Sequence, residues 1–277
     1  MKIKFFKKIV FFIIIVFQIY SYPIKAETSI KGEIIAGGIL IIDTLPNTRI
    51  KLEGNIIPIS QQGYGIIGFE RYPKNIQILE IFYSTGEIEK IILDIKKRSY
   101  KIQNIKGVEK DKVTPPKELL ERIYKEKIRV KNARKKALLI DESYYMNGFI
   151  LPASGPITGV YGSQRVLNGV PKNPHYGLDI ALPVGHNVMA PMDGIVLFTD
   201  KDLFYAGGTI IISHGQGLTT SYLHLSKILV EEGQKVYKGK IIGKVGATGR
   251  VTGPHLHWGV EWMGKRLDPE YLVKLLE

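Results

Sequence analysis

Short isoleucine-rich runs, each closed by a turn signal, fill the chain from about residue 27 to residue 110. Ile34-Ile35, Ile39-Leu40-Ile41-Ile42, Ile50-Lys51-Leu52, Ile66-Ile67-Gly68-Phe69, Ile76-Gln77-Ile78-Leu79-Glu80-Ile81 and Ile88-Glu89-Lys90-Ile91-Ile92-Leu93 are the candidate strands. Several alternate apolar with polar positions, the period of a half-buried strand. Leu45-Pro46-Asn47, Glu53-Gly54-Asn55, Gln62-Gly63 and Ser84-Thr85-Gly86 break the runs at the spacing of a small antiparallel, Ig-like β-sandwich, expected over residues 27–112. After Pro115-Pro116 the pattern changes. Thirteen Asp, Glu, Lys or Arg residues fall between Lys117 and Asp141, with Leu119, Ile123, Val130 and Ala137 forming one apolar stripe. This predicts a helical linker within 113–146 that packs one narrow face, with proline well placed at its start. From residue 147 to 277 glycine and proline return between short apolar runs such as Ile195-Val196-Leu197-Phe198, Thr209-Ile210-Ile211-Ile212 and Ile241-Ile242-Gly243-Lys244-Val245. The fold expected is therefore mainly β: a C-terminal antiparallel sheet preceded by a sandwich and a linking helix.

The N-terminus adds a compartment. Lys2, Lys4, Lys7 and Lys8 precede an apolar run from Ile9 to Phe17, and Ala26 closes the segment as in a secretory cleavage site. Residues 1–26 are thus read as a signal peptide or, if uncleaved, an N-terminal anchor, the one route by which this chain would meet a membrane. Gln18 leaves the run short of the roughly 20 apolar residues of a bilayer span. The expected location is the periplasm or cell envelope. Losing residues 1–26 removes five lysines and no acid, which lowers the formal charge from +13 to +8. The balance still favours an anionic partner, and export points to wall polymer rather than nucleic acid. The chain has no cysteine, so neither a disulfide nor a thiolate site is available. No feature of the sequence sets an oligomeric state.

All six histidines lie beyond residue 147, which places the chemistry in the C-terminal half. His175-Tyr-Gly-Leu-Asp179 and His255-Leu-His257 read together as one metal site, since catalytic zinc takes two or three nitrogen ligands with an oxygen and keeps a position open. In a strand His255 and His257 share one face, while Leu256, Trp258 and Val260 take the other. The same parity turns Leu178 and Ile180 inward and leaves Asp179 between small neighbours, Gly177 and Ala181. In Tyr222-Leu223-His224-Leu225 it predicts the leucines on the core face and Tyr222 with His224 opposite. His186, in a turn, and His214, before Gly215, read as ordinary hydrogen-bonded residues. No HExxH or GxSxG sequence is present, which excludes those peptidase and hydrolase motifs.

His175-x-x-x-Asp179, Tyr222-Leu-His224-Leu and Gly253-Pro-His255-Leu-His257, with Tyr161-Gly162 upstream, resemble in order and spacing the motifs of the lysostaphin-type (LytM-like) zinc metallopeptidases. The resemblance covers residues 147 to 270, and more loosely the preceding strands and helix look like the N-terminal region of exported members. It implies that His175, Asp179 and His257 bind one Zn2+ per chain and that His224 and His255 stand beside its open position. It implies an antiparallel sheet with a peptide groove and a zinc-activated water as nucleophile, with His224 and His255 sharing proton transfer and oxyanion stabilisation. The substrate implied is the peptide cross-link of bacterial peptidoglycan. The helix of 117–141 is tethered close enough to hold such a groove closed. Two other classes compete. A non-catalytic wall-binding activator of another hydrolase is opposed by the complete set of five residues. A biotinyl- or lipoyl-like carrier, suggested by the hairpin pattern of 232–246, lacks a modifiable Met-Lys-Met tip.

Overall fold

The computed structural model describes residues 28–276, so the export segment expected over 1–26 lies outside the described residues. Antiparallel strands dominate. The first half contributes β1 (Ser29–Gly32), β2 (Ile39–Asp43), β3 (Arg49–Leu52) and β4 (Asn55–Ile57). These are followed by β5 (Tyr64–Gly68), β6 (Ile76–Phe82), β7 (Ile88–Asp94) and β8 (Ile102–Ile105). β1 to β7 form two sheets, β1-β2-β5 and β4-β3-β6-β7, whose buried residues belong to one apolar core. The two sheets differ in pattern for a physical reason. β6 alternates, burying Gln77, Leu79 and Ile81 while Ile76 and Ile78 stay exposed, because one of its faces meets water. β2 is buried at four successive positions, Ile39 to Ile42, because it is covered on both sides. The C-terminal helix α3 (below) lies against β1 and β2, and Leu267 packs so close to Gly68 on β5 that a Cβ there would sit 2.5 Å from its Cδ1.

A short helix α1 (Lys110–Val113) leads through Thr114-Pro115-Pro116 into α2 (Lys117–Lys135) and two 3₁₀ turns, Lys136–Leu139 and Tyr144–Asn147. α2 docks by its narrow apolar face: Ala133 packs with Phe198, Leu203 and Ile211, and Val130 lies at the edge of that cluster. Ion pairs fasten it along its length, Arg122 to Asp202 at 2.9 Å, Arg129 to Asp200 at 2.9 Å and Arg134 to Glu261 at 2.6 Å.

The second half begins with β9 (Ile157–Gly159), β10 (Gln164–Leu167), β11 (Val170–Pro171), β12 (Leu178–Ala181) and β13 (Asn187–Met189). The long strands β14 (Gly194–Leu203), β15 (Gly207–Gly215) and β16 (Leu218–Leu225) follow, then the short β17 (Lys227–Ile228), β18 (Lys235–Val236) and β19 (Ile241–Lys244). β20 (His255–Trp262), β21 (Lys265–Leu267) and α3 (Pro269–Leu276) complete the chain. The central sheet runs β18-β14-β15-β16-β20-β12-β9, with β21 on β20. Among the described residues no helix is long and apolar enough to cross a membrane.

Two features depart from the sequence reading. β8 has no counterpart among the predicted strands, yet it pairs in parallel with β10, Gln103 opposite Arg165, and so joins the first half of the chain to the second. The face assignment on β16 is also corrected. Tyr222 is fully buried with Leu225 in the core, while Leu223 sits opposite His257 and is only partly covered. A bulge shifts the register between β15 and β16 here, and His224 takes a left-handed φ of 66°. One extra residue reverses strand parity, so everything beyond the bulge changes face.

Candidate active site

The site is assembled by register. Asp179 on β12 lies directly opposite His257 on β20, and Ala181 opposite His255. Leu256, Trp258 and Val260 are buried on the core face of β20, which leaves His255 and His257 on the outer one. His175 precedes β12 and is fixed by the Tyr161-Gly162 turn. Its backbone N–H donates to the Ser163 carbonyl at 2.8 Å, its carbonyl accepts from Gly162 at 2.7 Å, and its Nδ1 donates to the Val160 carbonyl at 3.0 Å.

Nε2 of His175 and Nδ1 of His257 converge on Oδ1 of Asp179, at 2.9 and 2.8 Å, and lie 2.9 Å from each other. Because Nδ1–H of His175 is committed to Val160, its Nε2 carries a lone pair. That lone pair faces a carboxylate oxygen and a second imidazole nitrogen. Such a set lacks a cation, and one metal ion would satisfy all three atoms at once. Two glycines make room for the side chains that form this set. A Cβ at Gly177 would lie 2.6 Å from the His257 ring, and one at Gly159 2.3 Å from Asp179 Oδ2.

Burial opposes ionisation of Asp179, but its contacts with the His175 and His257 ring nitrogens outweigh it and hold the carboxyl well below its ordinary range. Burial pushes His257 down to about 4 against the attraction of Asp179. Both ligand candidates are therefore in the forms that bind metal near neutral pH, carboxylate and neutral imidazole. The other oxygen of Asp179, Oδ2, accepts from Arg165 Nη2 at 2.5 Å. That contact leaves Oδ1 as the atom aimed at the centre.

His224 and His255 stand alongside. Their rings are 4.8 Å apart, and His224 is 6.1 Å from His257. Each has its Nδ1–H pinned to a backbone carbonyl, His224 to Thr248 at 2.8 Å and His255 to Gly253 at 2.9 Å. Each therefore presents Nε2 as a lone pair. Burial, with His257 and His255 nearby, lowers His224 to about 3, so it too is neutral. His255 Nε2 is 3.8 Å from Asp179 Oδ1. All five residues singled out in the sequence are thus brought together, while His186 is exposed in its turn and His214 is fully buried, bonded to the Asp193 carbonyl and to Thr220. Strand parity had put His224 on this side for the wrong reason, since it is the bulge that delivers it.

Beside Asp179 and His255 opens a pocket of about 160 Å³. One wall comes from the first half of the chain, Gln103, Ile105 and Val108; Arg165 and Arg250 also line it, and α2 contributes nothing to it. The two arginines were missed in the sequence. Arg250 had a local signal, a cation in the Gly- and Thr-rich loop five residues before His255, whereas Arg165 is ten residues from His175 on a strand whose pairing is not readable locally.

A His–Asp–His centre flanked by two further imidazoles on an antiparallel sheet defines a metal-site β domain of the metallopeptidase type. The family model of Peptidase family M23 matches residues 173–269, and this part of the chain is a domain of that family. The chain is 54% identical over 95 residues to the peptidoglycan DD-endopeptidase ShyA of Vibrio cholerae serotype O1, a match covering 34% of this chain and 22% of that protein. To ShyB of the same organism it is 42% identical over 131 residues, 47% of this chain and 28% of the relative. The matches thus span about a quarter of the length of these relatives. A solved structure from Pseudomonas aeruginosa, classed with peptidase M23, superposes with a TM-score of 0.63 at 28% identity, covering 88% of this chain and 96% of that one. The likeness of fold therefore extends well beyond the family match.

Proposed function

We propose that this protein is an exported zinc metalloendopeptidase that hydrolyses peptide cross-links of bacterial peptidoglycan. The observation that carries the proposal is the convergence of His175, Asp179 and His257 on one point with His224 and His255 beside it. His175 Nε2, Asp179 Oδ1 and His257 Nδ1 would hold the metal. Zinc bound there would polarise a scissile carbonyl and acidify a water.

The chain's own residues supply the rest. With Nδ1–H fixed on a carbonyl, His224 and His255 each keep Nε2 ready to accept the proton of an attacking water and, once charged, to stabilise the oxyanion or protonate the leaving amine. Neither ring can turn to the other tautomer without breaking its bond to Thr248 or Gly253. Arg165 holds the far oxygen of Asp179, and Leu256 and Trp258 back the histidine strand with a dry core. A polymer with peptide cross-links fits an open sheet face, and the net positive charge, +13 for the full chain and +8 without residues 1–26, favours retention on an anionic wall. Of the bonds in that polymer, the DD cross-link named for the Vibrio relatives is the first to test. The same reading divides the chain into a leader or anchor over 1–26, a positioning unit over 27–112, a helical linker over 113–146 and the peptidase unit over 147–277, acting in the periplasm or cell envelope.

The test is digestion of purified peptidoglycan by the zinc-loaded protein, with mass analysis of the products and His175→Ala in parallel. Loss of cross-linked dimers in favour of monomers, abolished in the variant, is the expected result. Unchanged dimers with the wild-type protein would refute the proposal.

A further inference from the structure

The pocket beside Asp179 and His255 has an unbalanced charge. Arg165 and Arg250 both line it, and Asp179 is the one acid among its lining residues. Asp179 is already committed, Oδ1 to the two histidines and Oδ2 to Arg165. Arg250 has no acidic partner among the described residues. Its guanidinium rests over the Tyr205 ring, 4.6 Å from the centroid, and its backbone N–H is tied to the Tyr205 carbonyl at 2.9 Å. The side chain is therefore held in place rather than trailing in solvent. Partial burial and the neighbouring Arg165 both act against its charge. Arg165 is also incompletely used, since its Nε is buried without a hydrogen-bond partner.

Two guanidinium groups, one unpaired and one partly so, converge on a half-enclosed pocket that opens onto the proposed reaction centre. An arginine fork is matched in shape and charge to a carboxylate, which accepts two parallel N–H bonds. The remaining walls are suited to a peptide: Ile105, Val108 and Leu167 offer apolar contact, and Gln103 and Thr252 neutral polar groups. We propose that Arg250, assisted by Arg165, forms a subsite for a free carboxylate on the peptide substrate, so that the enzyme selects cross-links carrying an acidic group next to the scissile bond. The proposal rests on the peptidase reading for its choice of ligand. It gives β8 a role as well, since Gln103 and Ile105 place part of the specificity wall outside the segment matched by the family.

The test separates the two ideas. The full chain, stripped of metal so that nothing turns over and no metal attracts the anion, is titrated calorimetrically with a cross-linked stem-peptide dimer and with the same dimer converted to its carboxamides. Wild type should bind the acid form about tenfold or more tightly than the amide, as expected for charge-assisted hydrogen bonds. Arg250→Met should abolish the difference, and Arg250→Lys, which keeps the charge without the fork, should retain part of it. Equal affinity of wild type for both dimers, or a preference that survives in Arg250→Met, would overturn the subsite. If Arg250→Met fails to fold, a full preference in Arg250→Lys overturns the fork, and a reduced one supports it. Cleavage by the zinc-loaded wild type is followed alongside. Preference in binding without cleavage would remove the peptidase reading and keep the subsite, whereas cleavage with no preference would do the reverse.

Discussion

His257 and Glu261 stand four residues apart on the same outer face of β20, and both are titratable groups in a nearly dry setting. Their surroundings differ. Glu261 Oε2 accepts from Arg134 at 2.6 Å and from Arg266 at 2.7 Å, and α2 closes over it with Ala133 against Phe198 and Ile211. His257 faces Asp179 and His175 across an arrangement that is short of one cation. A buried cluster whose charges pair within the chain fastens a helix to a sheet. One that leaves a shared lone-pair vertex becomes a place for an ion. The sheet uses one face for both purposes, and the difference lies in whether positive charge is supplied by the chain or must come from outside.

The largest effects should fall on the open end. His255→Ala should lower peptidoglycan cleavage by about 10²–10⁴-fold while leaving bound zinc unchanged, since it removes a proton-transfer group and not a ligand. His224→Asn should do the same with little loss of stability, because Asn tolerates the left-handed backbone at φ 66° that the bulge imposes. Loss of zinc in either variant, read by metal analysis, would move that residue from the proton-transfer group into the ligand set.

His214 sharpens the contrast by pH. Both its nitrogens are satisfied inside the chain, and burial lowers it from 6.5 to about 4. The unfolded imidazole takes up a proton below pH 6.5, the folded one only near 4. Its contribution is complete above pH 6.5 and is lost as pH falls toward 4, about 3 kcal/mol over the whole interval. Denaturant unfolding across pH 4 to 7 should show a shallower pH slope in His214→Gln than in wild type. Identical slopes would place His214 outside the closed class.

At the closed end Arg134→Ala should cost about 2–3 kcal/mol, less than the loss of a sole partner, because Glu261 keeps Arg266. Zinc content and cleavage should be unchanged. Burial and the neighbouring Arg266 both act against the charge of Arg134, and Glu261 is the group that favours it. A fall in zinc content on cutting this ion pair would show that the two ends of β20 are coupled.

Much of this was readable from residues alone, for reasons that also mark where reading stopped. Alternation on β20 and β12 placed Leu256, Trp258, Leu178 and Ile180 in the core and exposed the opposite face, because a regular strand has a period of two. The helix after Pro115-Pro116 announced itself by composition, and its stripe residue Val130 packs at the edge of the cluster that docks it. β8 did not, since Ile102-Gln103-Asn104-Ile105 has only two apolar residues and its stability comes from a parallel partner about sixty residues further on. The inversion at Tyr222-Leu223-His224 was hidden for a related reason: a bulge is set by the two neighbouring strands, and nothing within four residues reports it. Arg165 likewise becomes functional only when β10 lies beside the site.

The central claim is that His175, Asp179 and His257 form the open vertex and that a metal completes it. The most direct measurement is the zinc content of the purified, dialysed protein against His257→Ala, with both checked for folding by circular dichroism. One zinc per chain in wild type and none in the folded variant is the result predicted here. A folded wild-type protein that holds no zinc on titration, or a variant that still retains a full equivalent, would contradict it.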